Sequence, residues 1–250
     1  MKVIIIAAGI GSRLGDLTKD LPKPLVDVNG KSILERQIEI FKKFGIDEIF
    51  VVTGYKKDKI TFSNVKYIYN SEYQQTEQIG SLMKARKHIS GDVIISFGDI
   101  IFEESILQQL LENKENFVLV SEPNWKNSYE QRSDNPPTQS DFIALENNKI
   151  KKFFKNSLEI NNSHSTVEFI GLMKISSMSS NVFLQTYEKL EKYHKGKFHF
   201  ASSFMKAKLI DFFEELRLAG TEMHSINVNG KWCEIDTIQD LEIAKKIFKK

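Results

Sequence analysis

Three apolar runs, each followed closely by a glycine, constrain this chain more than any other feature. Val3 to Ala7 lead into Gly9, the run in "EIFVVTGY" ends at Gly54, and "DVIISFGD" runs straight into Gly98-Asp99. Continuous Val- and Ile-rich runs of this kind mark strands buried on both faces. Between the first two, Ile33, Leu34, Ile38, Phe41 and Phe44 recur at helical spacing, with Gly45 as the stop signal. "VKYIYN" predicts a further strand, "IGSLMKARKHI" a second helix, and "PLVDV" a short strand after the first loop. Strands separated by helices require right-handed crossovers, so the first half predicts a parallel sheet covered on both faces.

After "NFVLVSEP" the pattern changes. "DFIALENNKIKKFF" alternates about Asn147-Asn148, a strong local signal for an antiparallel hairpin. "VEFIGLMKI" reads as one more strand, followed by helices around Val182 to Tyr193 and Ser203 to Leu218. The stripe Leu209, Phe212, Phe213 and Leu216 is core packing. "EMHSINVNG" is a last strand before "KWCEID" and a terminal helix, and the Asn- and Ser-rich "KNSLEINNSHST" reads as a mobile loop. The sum is an α/β chain with a Rossmann-like, mixed and mostly parallel sheet between helices, and a small antiparallel subdomain.

With 35 basic against 33 acidic residues, the net charge of +2 offers no argument for nucleic-acid or membrane partners, so any anion must be bound locally. The sole cysteine, Cys233, excludes an internal disulfide and a cysteine-rich metal site. The N-terminal apolar run is too short for a signal peptide before its glycines and Arg13, and no stretch suits membrane insertion. A cytoplasmic protein is expected.

The loop "AAGIGSRLGDLTKDLPKPL" carries the chemistry. As a dinucleotide fingerprint it fails at Leu14, where the third glycine belongs, and Pro22 and Pro24 forbid the long helix that should follow. It is not a Walker loop, since no Gly-Lys-Ser/Thr ends it. What remains is an irregular loop that lets backbone approach a nucleotide, plus two cations. Arg13 has a fork suited to phosphate oxygens, and Lys23, between prolines, offers a point charge. Pro-Lys-Pro alone also fits a solvated surface turn. Asp99 stands at the carboxyl end of a central strand, where open α/β sheets bind ligands, and Asp236 precedes a capping-box-like Thr237 and Asp240. Each alone is what a turn or cap ordinarily carries.

These motifs resemble the signature of the nucleotidyltransferases that make nucleoside-diphosphate sugars and alcohols: a Gly-x-Gly-x-Arg loop followed by Pro-Lys-Pro. "ILERQIEIFKKFGIDEIFVVTGY", "GDI" and "GKWCEIDTIQDLEIA" are similar to later parts of that fold, so the resemblance spans nearly the whole chain. "NWKNSYEQR", "VEFIGLMKIS" and "KWCEIDTIQDLE" resemble the cytidylyltransferase branch that acts on phosphocholine, aminoethylphosphonate and related compounds. The resemblance implies a single nucleotidyltransferase domain over 1–250. Its nucleotide part would be about 1–120, its acceptor-side part about 121–235 and its closing helix 237–249. It further implies Mg²⁺ held by Asp99 and Asp236, Arg13 on the β- and γ-phosphates, and Lys23 on the α-phosphate and the acceptor phosphate.

By the same resemblance, Ala7, Ala8, Gly9, Gly11 and Gly54 would contact the nucleotide through backbone. Thr76, Gln78 and Ser81 occupy the place where the branch reads the base, with Glu77 standing where an Asn is common. On the acceptor side, Trp125, Tyr129 and Trp232 are candidate faces for an ammonium group, an interaction of roughly 0.5 to 2 kcal/mol, or else lid packing. Arg132 and Glu168 fall in acceptor-side motifs as partners for an anionic group and for an amine or hydroxyl. Glu122 stands where the branch often has an aspartate. Cys233 has no evident His partner to make it a nucleophile.

The implied partners are CTP and a small phosphorylated or phosphonate acceptor, with no nucleic acid. A homo-oligomer is compatible with the sequence. Two other readings stand beside a Mg²⁺-dependent cytidylyltransferase: a sugar-1-phosphate nucleotidyltransferase using UTP, dTTP or GTP, and a catalytically silent nucleotide sensor. Retention of both cations and both carboxylates argues against the sensor.

Overall fold

The computed structural model describes residues 1–130, 132–155, 165–199 and 201–249. The expected mobile loop lies, over 156–164, outside the described residues. In chain order the first half runs through β1 (Lys2–Ala7), β2 (Asp27–Val28), β3 (Lys31–Ser32), α1 (Ile33–Lys43), β4 (Glu48–Thr53) and β5 (Lys66–Tyr69). It continues with α2 (Gln78–Met83), β6 (Val93–Phe97), β7 (Ile100–Phe102), α3 (Glu104–Glu112) and β8 (Phe117–Glu122). The second half has α4 (Trp125–Tyr129), β9 (Asp141–Glu146), β10 (Lys149–Lys155), β11 (Ser165–Ile175), α5 (Ser177–Tyr193) and α6 (Leu209–Leu218). It ends with β12 (His224–Asn227), β13 (Trp232–Glu234) and α7 (Ile238–Ile247).

The main sheet has the order β5-β4-β1-β6-β11-β8-β12-β10-β9. β1 pairs parallel with β4 and β6 in unbroken register, as the glycine-ended apolar runs predict. Helix α1 begins in a full capping box between Ser32 and Glu35 and buries Ile33, Leu34, Ile38 and Phe41. β11 interrupts the parallel set, running antiparallel to β6 and to β8, and beyond it β12 pairs parallel with β8. Its N-terminal half also pairs with β9, so β11, β8, β12, β10 and β9 close a ring of pairings at that end of the sheet. Antiparallel pairs can be joined by a tight hairpin, and the β9–β10 turn has Asn147 and Asn148 both at positive φ, 51° and 63°. The helix expected over "IGSLMKARKHI" is shorter: α2 stops at Met83 and a 3₁₀ turn, Arg86–His88, follows.

A continuous apolar core fills both faces of the sheet, and a separate cluster lies beneath the signature loop. Leu14, Val26, Ile101, Ile235 and Leu241 are all buried in that second cluster. Leu14 neighbours Arg13, Ile101 follows Asp99 by two positions, and Ile235 precedes Asp236. Burying these apolar neighbours therefore brings the charged residues together on the other side. Among the described residues no helix is long and apolar enough to cross a membrane.

β11 changes register between Phe169 and Met173, and within that irregularity Gly171 has φ +86°. A Cβ there would lie 2.5 Å from the Phe97 ring carbon Cδ2. Gly171→Ala is expected to destabilise by ~1–3 kcal/mol, from left-handed strain and the ring's displacement. At this chain length that is a Tm lower by roughly 3 to 10 °C in a thermal scan, with the far-UV spectrum retained. An unchanged Tm would show that the bulge relaxes.

Candidate functional site

Lys23 sits in a 3₁₀ turn, Lys23–Leu25, with a proline on either side, and it is buried although it carries a charge. Its Nζ donates to Asp99 Oδ2 at 2.7 Å and to Asp236 Oδ1. Burial works against the ammonium, but Asp99 and Asp236 overcome it and hold its pKa above the ordinary lysine value. Gly11, at φ +71°, makes room for the lysine stem: a Cβ there would stand 2.7 Å from Lys23 Cβ. Arg13 Nη2 pairs with Asp236 Oδ2 at 2.7 Å, while its Nη1 donates to Asn135 Oδ1 at 3.1 Å. Asn135 Nδ2 in turn donates to Asp236 Oδ2 at 3.2 Å.

Asp99 and Asp236, far apart in sequence, meet because β7 and β13 form an antiparallel ribbon in which Glu234 faces Ile100. Ile235 N donates to Asp99 O at 2.9 Å, and α7 starts in a capping box between Thr237 and Asp240. From α1, the buried Gln37 donates to Phe97 O and Ile100 O at 2.8 and 2.7 Å, fixing the backbone on both sides of Gly98-Asp99. A third carboxylate joins them: single oxygens of Asp99, Glu234 and Asp236 lie within 4.8 Å of one another. Burial, then Asp236 and Asp99, push the Glu234 carboxyl well up, while Asp236, despite burial, is held low by Lys23. Asp99 Oδ1 is buried with no hydrogen-bond partner. Three carboxylates that each offer a hard oxygen, with an unpartnered Asp99 oxygen among them, fit a hard divalent cation such as Mg²⁺.

Two cavities meet at this cluster. One, of about 450 Å³, is lined by Gly9, Gly11, Lys23, Thr76 and Ser81; the other, of about 310 Å³, by Asn135, Asp141, Glu168, Lys208 and Trp232. Arg13, Glu77, Gln78, Phe97, Asp99 and Asp236 line both. In the first, Asn70 Nδ2 donates to Thr76 Oγ1 at 2.9 Å and to Ser81 Oγ at 3.1 Å, ordering that wall. Gln78 Oε1 accepts from Leu209 N at 3.0 Å, so its Nε2 is the polar end left for a ligand.

Other expected contacts lie elsewhere. Ala7, Ala8 and Gly54 are not among the lining residues, and Ala8 O is taken by Tyr55 N at 3.2 Å. Gly54 serves packing, since a Cβ there would stand 2.5 Å from Ala8 O. Trp125 and Tyr129 do not line the second cavity but pack with Phe142 and Phe154 in a buried cluster, because their apolar area is better satisfied there. Arg132 is likewise no cavity residue: its Nε donates to the fully buried Asp240 at 2.7 Å, and its guanidinium lies over the Tyr129 ring at 4.8 Å. Tyr129 hydrogen-bonds Glu168, and only Glu168 of these three reaches the cavity. Trp232 lines it and donates to Glu122 Oε2 at 2.9 Å, so Glu122 acts by holding the indole. Burial pushes the Cys233 thiol up to about 12, which leaves it inert.

The sequence reading missed Glu234, Asn135, Asp141, Gln37 and Lys208. A signal existed for Glu234 alone: in "WCEID" the residues Trp232, Glu234 and Asp236 alternate with apolar ones, so an extended segment turns all three to one side. The other four act through contacts many residues away.

Residues 3–131 match the MobA-like NTP transferase domain family. Over 261 aligned residues, 97% of this chain and 98% of the relative, the sequence is 31% identical to the CTP:phosphoglutamine cytidylyltransferase of Campylobacter jejuni. The solved structure of the CTP:phosphocholine cytidylyltransferase of Streptococcus pneumoniae superposes with a TM-score of 0.76 over 99% of both chains at 18% identity. A Bacillus anthracis protein assigned as a glucose-1-phosphate thymidylyltransferase gives 0.74 over 100% of this chain and 98% of its own, at 19% identity. The last two likenesses are of fold.

Burial pushes the Glu168 carboxyl up to about 7 from 4.5, against the opposing pull of Tyr129 and Arg132. A carboxyl raised in the folded state contributes stability below its unfolded value that is lost as pH rises through its folded one. Glu168→Gln keeps an acceptor for Tyr129 and removes this loss. The Tm of the variant relative to the parent is therefore expected to rise between about pH 5 and about pH 8. A pH-independent difference would contradict the raised value.

Proposed function

The chain belongs to the MobA-like NTP transferase family and is a nucleotidyltransferase, and on that premise we propose that it transfers CMP from CTP to the phosphate or phosphonate of a small molecule. The observation that carries the reading is the meeting of two cavities at one cluster of cations and carboxylates. A nucleotide in the larger and an acceptor in the smaller would bring two phosphate groups together beside Lys23 and Arg13.

In this reaction an acceptor phosphate oxygen attacks the α-phosphorus in line, the bond to the β-phosphate breaks, and pyrophosphate leaves. The difficulty is electrostatic, since both reactants are anions. Lys23, raised in pKa and held by prolines, neutralises charge where attack occurs. Arg13, fixed through Asn135 and Asp236, grips the departing phosphates. Asp99, Glu234 and Asp236 would hold Mg²⁺, which supplies charge neutralisation on phosphate oxygens. The preference for CTP is supported by the relative's named activity and by Gln78, whose free Nε2 suits the acceptor atoms N3 and O2 of cytosine. A substrate of this kind places the reaction in the cytoplasm.

Pyrophosphate release is expected with Mg²⁺ and CTP, and to vanish with a chelator. UTP, dTTP, GTP and ATP are expected to serve poorly. Lys23→Ala, Asp99→Asn and Asp236→Asn should each lower kcat by ~10²–10³-fold, and Asn135→Ala by about tenfold, with circular dichroism unchanged. Near-normal rates in the first three variants would refute the site, and turnover confined to UTP or dTTP with a sugar phosphate would refute the cytidylyl reading.

A further inference from the structure

Helix α2 opens with backbone donors that no side chain caps. The first N–H groups of a helix find no partner within it, so acceptors must come from elsewhere. Here they come from the second half of the chain. The segment 203–208, which contains the 3₁₀ turn Phe204–Lys206 and leads into α6, supplies them. Glu77 N donates to Met205 O at 3.0 Å, and Ile79 N to Ala207 O at 3.4 Å. A return bond runs from Leu209 N to Gln78 Oε1 at 3.0 Å, so contacts on both sides bracket Gln78. Leu209 opens α6, so each helix start satisfies a donor of the other. Gly80 leaves room for the Met205 side chain, since a Cβ there would stand 3.1 Å from Met205 Cε.

The segment is itself held at both ends. Lys206 Nζ donates to Gln74 O at 2.9 Å. Asp211, 4% exposed, accepts from Lys208 N at 3.0 Å and pairs with Lys155 of β10 at 2.7 Å. Leu209 is fully buried between these anchors, which fixes the direction of its N–H.

A glutamine amide carries an acceptor and a donor, and half a turn about its last torsion exchanges them. A backbone N–H can only donate, so Leu209 keeps Oε1 and leaves Nε2 as the end presented to a ligand. For a pyrimidine the distinction is decisive. Cytosine has a lone pair at N3 and uracil an N–H, so a fixed donor meets an acceptor in one base and a second donor in the other, where both bonds go unmade.

We propose that the Leu209 N–H, placed by segment 203–208, is the positioning group that sets the choice of CTP over UTP, by locking the orientation of the Gln78 amide. The inference rests on the cytidylyl reading above for its nucleotide, and on the bonds between α2 and the start of α6 for the lock.

Proline lacks the N–H and suits the first position of a helix, and Lys208 before it has φ −77° and ψ 163°, a conformation that precedes proline readily. Leu209→Pro therefore removes the lock, while Leu209→Ala gives up the leucine side chain and keeps the N–H. Calorimetric titration of the whole chain with CTP and with UTP, both with Mg²⁺, needs no acceptor. The ratio of Kd for UTP to Kd for CTP is expected to fall about tenfold in Leu209→Pro and to stay within about twofold of the parent in Leu209→Ala. A merely structural defect would weaken both nucleotides alike. Equal ratios in the two variants would overturn the proposal while the cytidylyl reading stood, and a parent that does not prefer CTP would overturn both. If Leu209→Pro loses its far-UV spectrum, Gln78→Glu decides: one oxygen stays with Leu209 N and the other replaces Nε2, so the preference is expected to turn to UTP. A retained preference for CTP in that variant would overturn the lock.

Discussion

A buried ammonium facing two carboxylates governs this structure. Lys23 has left water, which is unfavourable unless opposite charge meets it, and Asp99 and Asp236 do so from two other parts of the chain. Those aspartates, with Glu234 beside them, would repel one another without a cation between them. Each side of the contact offsets a cost that the other would bear alone. The signature loop, the end of β6 and the start of α7 therefore assemble together, and the same charge that organises the site is the one a phosphate would meet.

The scaffold turns that demand into fixed geometry. Leu14, Ile101 and Ile235 are buried side by side beneath the site, so each charged neighbour projects from a packed base. Gln37 satisfies the carbonyls on either side of Gly98-Asp99, and a capping box sets the first turn of α7 just after Asp236. Preorganisation of this kind matters for phosphoryl transfer, where positioning and charge compensation do most of the catalytic work.

The smaller cavity is tied to the same base. Arg132 reaches Asp240, the backbone of Ser133 donates to Gln239 at 2.9 Å, and Asn135 touches Asp236. The segment that shapes the smaller cavity is thus anchored on the helix that fixes the cluster. This explains what the residues of "NWKNSYEQR" do: Trp125, Tyr129 and Arg132 form a support, and Glu168 on β11 is what Tyr129 holds toward the cavity.

Short-range physics made the strands, α1, the Asn147-Asn148 turn and the loop with Arg13 and Lys23 legible in the chain, because buried runs, helical spacing, caps and proline restraints each act within a few residues. Asp99 was legible because a strand end followed by glycine is a local event, and Asp236 because a capping box is one as well. The antiparallel course of β11 was not, since pairing direction depends on which distant strand lies alongside. Nor was the direction in which Trp125 and Tyr129 turn, because an aromatic ring suits a core and a ligand equally well until its neighbours are known. Asn135, Asp141 and Gln37 acquire meaning only from partners across the fold. Residue types and local geometry, then, were the sequence's own contribution; the tertiary structure alone decided which charges face each other, because electrostatic and packing energies depend on distance in space and not on distance along the chain.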